Sequence, residues 1–84
     1  MPWSIRWTER ALRDVSRLDT AVARRVVRKI EQASEDPVRF FTRLVGADEY
    51  RLQIGDHRLL AALVHETKTA LVERVEHGSR VCDR

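Results

Sequence analysis

The sequence contains few of the residues that break a chain into turns or fasten it covalently. Among 84 residues there are one cysteine, two prolines and three glycines. The single cysteine, Cys82, excludes an internal disulfide framework and any metal site built from several cysteines. The low proline and glycine content predicts regular elements that are joined by short connections.

A long apolar run is also missing, and we expect no leader segment. No stretch approaches the roughly 18 apolar residues that suggest a membrane-spanning helix, and the start, Met1-Pro2-Trp3, has no positively charged n-region. We therefore expect a soluble, cytoplasmic protein that does not associate with membranes. The length predicts one domain over 1–84. Its core should be thin, because a chain of this size buries only about 60% of the surface that it exposes when unfolded.

The positive charge of the chain is carried mainly by arginine. The formal net charge is +3 and the isoelectric point is about 9.7. Because a guanidinium binds phosphate through two parallel hydrogen bonds, this composition favours a nucleic acid or an acidic protein as partner. Acidic residues are interleaved along the whole chain, so a solvated, salt-bridged surface is an equally good interpretation.

The first half of the chain predicts a strand and two helices. Residues 3–7 alternate large apolar with polar side chains, which is typical of a half-buried strand. Thr8 then has the residue type of a helix N-cap, and Asp19 or Thr20 can cap a second helix. That helix should end at Asp36-Pro37, because the residue before a proline is pushed out of the α region. Two helices with almost no linker predict an antiparallel hairpin.

The second half predicts three strands after a loop over 37–48. Residues 50–54 alternate with a period of two, 58–65 are almost continuously apolar, and 69–75 are rich in β-branched and apolar side chains. Gly55-Asp56 lies between the first two of these strands and indicates a hairpin turn.

The predicted order is strand, helix, helix, strand, strand, strand, which defines an α+β fold. Consecutive strands with tight turns form a small antiparallel sheet, and the N-terminal helical hairpin packs on one face of it. The first strand joins this sheet either at an edge or beside the last strand. The face without helices carries Arg51 and Gln53, with Arg58 close by across the turn. This arrangement predicts a concave phosphate-binding surface.

Several segments resemble one known family. The run from Tyr50 to Leu60, YRLQIGDHRLL, resembles the YRLRIGDYRVIY core of the RelE/ParE toxin superfamily. Residues 8–15, followed by Leu18, are similar in pattern to the first helix of that family. Residues 44–46 (LVG) lie where the family often has Leu-x-Gly, and 75–82 (VEHGSRVC) lie where it has VGHRxxVY. The resemblance spans nearly the whole chain.

The resemblance implies a toxin that is silenced by an antitoxin encoded beside it. RelE-like toxins cut messenger RNA on the translating ribosome without a metal or other cofactor. ParE-like relatives share the fold but target DNA gyrase and lack an RNA-cutting site. The expected partners are a cognate antitoxin, in a toxin–antitoxin hetero-oligomer, and the ribosome with its mRNA. Fold alone does not decide between the two activities.

The resemblance also implies site residues, carried over by position. The catalytic set is Arg51, Arg58, His77 and Arg80, and the RNA-binding set is Arg43, Arg51, Gln53, His57 and Arg58. Neither set holds a metal. Arg58 falls on the most recurrent arginine and is expected to clamp the scissile phosphate. The alternative for Arg58 is an ion pair with Asp56 or Glu49.

The other site residues differ in what they can contribute. Arg51 can stabilise charge but is a poor base, and Gln53 can donate a hydrogen bond but cannot exchange a proton. Histidine exchanges protons near neutral pH, so His77 is the candidate for proton transfer, although a structural role fits it equally well. His57 could stack on a base, or it could be a solvated turn residue.

The C-terminal part departs from the nuclease pattern. Gly78 replaces a recurrent arginine, and Cys82 replaces a recurrent tyrosine. Arg80 could reach into the gap, and His77-Gly78-Ser79-Arg80 resembles the HGxR ending of ParE-like toxins. The favoured hypothesis is a RelE-like mRNA endonuclease, of which an attenuated form is one version. The alternatives are a ParE-like gyrase-binding toxin and a catalytically inactive, antitoxin-binding member of the family.

Overall fold

The protein folds as a helical layer on one face of a five-stranded sheet. The computed structural model describes residues 2–44 and 49–78. In chain order the elements are β1 (Ser4–Trp7), α1 (Glu9–Ser16), α2 (Thr20–Ala33), α3 (Pro37–Phe40), β2 (Thr42–Arg43), β3 (Tyr50–Ile54), β4 (His57–Val64) and β5 (Thr69–His77). The predicted α+β fold with an N-terminal helical hairpin is confirmed.

The strand order in the sheet is β1-β5-β4-β3-β2. β2 to β5 form an antiparallel meander, whereas β1 runs parallel to β5, with Ser4 opposite Thr69 and Trp7 opposite Val72. Both predicted positions of the first strand are therefore correct, since it is an edge strand that lies beside the last one. The sheet is mixed because the segment between β1 and β5 returns the chain in the same direction, as a parallel pair requires.

The connection predicted over 37–48 contains two short elements. Pro37 begins α3, because its fixed φ suits the first turn of a helix and its missing N–H is not needed there. Thr42 and Arg43 then pair with Arg51 and Tyr50 to form β2. Such short segments give no periodic signal, and the pairing partner that fixes β2 comes later in the chain.

The N-cap of α1 ties the helix to the sheet. Thr8 Oγ1 accepts a hydrogen bond from the backbone N–H of Ala11 at 3.0 Å and donates one to the carbonyl of Glu73 at 2.8 Å. Asp19 occupies the corresponding position before α2 but makes no side-chain cap bond. The hydroxyl of Thr8 therefore satisfies one free donor of α1 and one carbonyl of β5.

Thr8→Ala is expected to lower the free energy of unfolding by about 1–2 kcal/mol, because both hydrogen bonds of the hydroxyl are lost. Urea unfolding followed by circular dichroism measures this change. Ser16→Ala is the matched control, since it removes an exposed hydroxyl that donates to the backbone carbonyl of Arg13 at the other end of the same helix. An equal loss in both variants would contradict the linking role of Thr8.

The two faces of the sheet differ in composition. The helix-covered face contributes Leu52, Ile54, Leu59, Ala61, Leu63, Ala70, Val72 and Val75 to the core, against Ala11, Val26, Ile30 and Ala33 of the helices. Because side chains alternate along a strand, the neighbouring residues point to the open face. No helix within the described ranges 2–44 and 49–78 is long and apolar enough to cross a membrane.

Candidate nucleic-acid interface

Three strands place charged side chains together on the open face of the sheet. Across β3, β4 and β5, Arg51 is opposite Leu60, which is opposite Arg74, and Arg58 is opposite Glu76. These side chains border a recess of about 160 Å³, which we call the arginine recess and which is lined by Leu44, Glu49, Arg51, Arg58, Leu60, Arg74 and Glu76. Its three arginines and two glutamates leave one excess positive charge.

Arg74 is fixed by two carboxylates. Its Nη1 lies 3.0 Å from Oε2 of Glu49, and its Nε donates to Oε2 of Glu76 at 2.9 Å. The hydrogen bond with Glu76 is the main reason that the pKa of Arg74 is raised above its usual value. Arg74 therefore stays cationic and holds both glutamates at the wall of the recess.

Arg58 is less well satisfied than Arg74. Its Nε lies 3.8 Å from Oε1 of Glu76, which is too long for a hydrogen bond. This Nε is buried and has no hydrogen-bond partner within residues 2–44 and 49–78, although 21% of the whole side chain is exposed. A buried donor without an acceptor is unfavourable, so an anion that reaches this Nε supplies an acceptor that the described residues do not.

Gln53 lies on the same face but is engaged by the hairpin end. Its Nε2 donates to the carbonyl of Gly55 at 2.8 Å and to that of His57 at 3.0 Å, and the carbonyl of Gly78 is 3.4 Å away. Gly55 has a φ of +59°, a conformation that suits glycine and closes the turn between β3 and β4. The amide donors of Gln53 thus already brace this turn.

The structure does not bring the two candidate histidines into the arginine recess. His57 and His77 are register partners, and their rings meet edge to face at 5.0 Å. Strand alternation places both on the helix-bearing side, with Leu59 and Val75, opposite the face of Arg58. The expectation that His77 lies beside the arginines is therefore corrected, because β5 extends through His77 and its alternation fixes the direction of that side chain.

Two further predicted residues lie away from the recess or outside the described part. Arg43 is the register partner of Tyr50, which packs against the core, so it belongs to the helix-bearing side of the edge strand. Arg80 lies outside the described residues, as does Cys82. Among residues 2–44 and 49–78, no group of three or more histidine, cysteine or acidic side chains is arranged to hold a metal ion.

Sequence reasoning missed Arg74 and Glu76 as site residues. Ala70 and Val72 face the core, so strict alternation would send Arg74 inward as well. A bulge between the pairs Leu60–Arg74 and Ala61–Val72 shifts the alternation by one residue and turns Arg74 to the open face. The change from alternating apolar residues to the pair Glu73-Arg74 is the only signal of this bulge in the sequence.

The chain matches a known family over nearly its whole length. The model of the ParE toxin of type II toxin–antitoxin systems, parDE, covers residues 5–82. No curated protein sequence matches the chain significantly. The fold and the family match together define a toxin of a type II toxin–antitoxin system. The chain belongs to the ParE toxin family, within the RelE/ParE superfamily.

Solved structures of RelE toxins share the fold. The RelBE2 toxin–antitoxin complex from Mycobacterium tuberculosis contains a chain with 29% identity and a TM-score of 0.86, and the alignment covers 92% of this chain and 99% of that one. The RelBE complex from E. coli gives 23% identity and a TM-score of 0.78, and the alignment covers 93% of this chain and 99% of that one. The RelE–RelB complex from Pyrococcus horikoshii OT3 gives 20% identity and a TM-score of 0.77, and the alignment covers 95% of this chain and 99% of that one.

Proposed function

We propose that this chain is a RelE-like toxin that binds messenger RNA on the translating ribosome, in the cytoplasm, and cleaves it slowly. The observation that carries the proposal is the arginine recess, in which Arg51, Arg58 and Arg74 line one cavity. Guanidinium groups bind phosphate oxygens through parallel hydrogen bonds. They also stabilise the extra negative charge of a pentacoordinate phosphorane, which is where metal-free cleavage needs help most.

The recess also contains groups that can accept a proton. In metal-free cleavage the ribose 2′-oxygen bonds to phosphorus while the bond from phosphorus to the 5′-oxygen breaks, and the 2′-hydroxyl proton must be taken up. Arginine does not serve as this base, whereas Glu49 and Glu76 present carboxylates to the recess. Glu76 is directly opposite Arg58. A phosphate held by Arg58 therefore brings the attacking hydroxyl close to Glu76, which takes the proton.

Cleavage is slow in this proposal because the described lining of the recess offers the leaving oxygen no general acid. The lining residues within 2–44 and 49–78 are arginine, glutamate and leucine, so the proposal takes the proton of the 5′-oxygen from water. A positioned general acid contributes about 10²- to 10⁴-fold, and a site without one is slower by that factor. The replacement of a recurrent arginine by Gly78 and of a recurrent tyrosine by Cys82 likewise predicts slow cleavage.

Mapping of RNA 5′ ends in a purified translation system tests the proposal. Added toxin should produce cuts within translated messages, and omission of ribosomes should remove them. Messages that stay intact over a time course long enough for slow cleavage would contradict the nuclease hypothesis.

The family match and the position of His77 favour a second candidate, a ParE-like toxin that binds DNA gyrase without chemistry. A supercoiling assay with purified gyrase separates the two candidates. Inhibition of gyrase together with intact messages would support the second one. Intact messages together with uninhibited gyrase would leave the antitoxin-binding hypothesis, in which the chain has no toxic activity of its own.

A cognate antitoxin is the proposed protein partner. The relatives named above were solved as toxin–antitoxin complexes. An apolar groove of about 550 Å³ runs between α1 and α2, and its charged lining consists of Arg24, Arg28 and one acidic residue, Glu31, which leaves an excess of positive charge. An amphipathic helix that carries acidic residues beside its apolar stripe matches this groove in both shape and charge.

A further inference from the structure

Gly78 lies directly against the guanidinium of Arg58. A Cβ atom built on Gly78 would overlap with Nη2 of Arg58, and it would lie 2.8 Å from Cζ and 2.9 Å from Nε. Real side chains do not approach so closely. The space that a side chain at position 78 would fill is thus occupied by the guanidinium of Arg58.

The backbone at Gly78 is held from two directions. Its N–H donates to the carbonyl of Asp56 at 2.8 Å, and its own carbonyl lies 3.4 Å from the amide nitrogen of Gln53. The guanidinium is the free end of a flexible side chain. A side chain at position 78 would therefore displace Arg58 and leave the backbone in place.

The guanidinium is poorly satisfied in this position. Its Nε is buried and has no hydrogen-bond partner within residues 2–44 and 49–78, and Oε1 of Glu76 is 3.8 Å away. Glu76 makes its shorter contact with Arg74 instead. Close packing against Gly78 thus buries this Nε, and none of the described residues gives it an acceptor.

We propose that Gly78 is a positioning residue for Arg58: its missing side chain provides a seat at the wall of the arginine recess, and this seat keeps the Nε of the guanidinium buried. A side chain at position 78 closes the seat and releases the guanidinium towards a bound phosphate. The effect on RNA rests on the proposed function, whereas the position of Arg58 does not.

Gly78→Ala tests the seat with a single methyl group. Gly78 does not have a positive φ, so alanine meets no backbone strain and the fold should be retained. The NMR signal of the Arg58 Nε–H group, assigned by its loss in Arg58→Lys, reports the position directly. In the wild type this buried proton should exchange slowly with water, and in Gly78→Ala its exchange should accelerate at least tenfold.

Affinity for an uncleavable, 2′-O-methylated RNA oligonucleotide provides the second measurement. Released Arg58 should tighten binding by about tenfold, the value of one charge-assisted hydrogen bond. The same substitution made in Arg58→Ala should have no effect on affinity. An affinity gain that persists without Arg58 would overturn the assignment of Gly78 as a residue that acts through Arg58.

The two measurements test the seat and the RNA-binding function separately. An Arg58 Nε–H proton that remains equally protected in Gly78→Ala would refute the seat, whatever the RNA affinity. If that proton exchanges faster but neither protein binds the oligonucleotide, the seat is supported and the RNA-binding function is rejected.

Discussion

Arg58→Ala is expected to abolish most RNA binding and cleavage while the protein stays folded. The guanidinium lines the arginine recess, and its Nε has no hydrogen-bond partner within the described ranges. A phosphate therefore gains contacts at Arg58 without breaking a hydrogen bond of this Nε to any described residue. Loss of these charge-assisted hydrogen bonds should weaken binding by about 10- to 100-fold. Cleavage should fall at least as far, because the same group stabilises the transition state.

Stability should change little in this variant. The substitution removes a buried donor that has no acceptor in the part of the chain that the structure describes, and Glu76 keeps its hydrogen bond to Arg74. Arg17→Ala is the matched control, since it removes an exposed arginine at the end of α1 with the same change of net charge. Urea unfolding and RNA end mapping are measured on both. Wild-type cutting by Arg58→Ala, or an equal loss in Arg17→Ala, would refute the role of Arg58.

Glu76→Gln is expected to separate binding from chemistry. Glutamine keeps the size of the side chain and can still accept a hydrogen bond from Arg74, but it cannot take the 2′-hydroxyl proton. Cleavage should therefore fall by about 10²- to 10⁴-fold. RNA affinity should stay equal or rise, because one negative charge leaves the wall of the recess.

Glu49→Gln provides the control for this prediction. Glu49 lines the same recess and contacts the same Arg74, at 3.0 Å, so its substitution removes the same charge from a neighbouring position. A small effect of Glu49→Gln beside a large effect of Glu76→Gln is the expected result. The reverse pattern would transfer the proton-accepting role to Glu49, and two small effects would argue against a carboxylate base.

The alternation of the second predicted strand was enough to place part of the site. Residues 50–54 form β3 as predicted, and Arg51 and Gln53 lie on the face opposite to Leu52 and Ile54. Arg58 lies across the turn from Gln53, as expected. These features follow from a period of two and a turn signal, both of which are local.

The other half of the arginine recess depends on pairing between distant residues. β5 was predicted to end at Val75 and runs to His77 in the structure, because β4 offers pairing partners as far as His57. This extension makes Glu76 a strand residue, and the bulge turns Arg74 to the same face. Composition near the chain end indicates a polar tail, and only the neighbouring strand reveals the ordered ion pairs.

The position of Gly78 shows a limit of comparison by motif. In the sequence Gly78 is notable only as the replacement of an arginine. In the structure the space beside it is filled by Arg58, which is 20 residues earlier in the chain. A missing side chain can thus act through the neighbour that takes its space, and no local pattern predicts which neighbour that is.

Chemical-shift mapping with the 2′-O-methylated RNA oligonucleotide tests most directly whether the arginine recess is the phosphate-binding surface. Titration of the wild-type protein should shift the backbone amides of β3, β4 and β5 around Arg51, Arg58 and Arg74, together with the Arg58 Nε–H signal. The shifts should shrink with added salt, as phosphate contacts do. Shifts confined to the α1–α2 face, or none at millimolar RNA, would contradict the account.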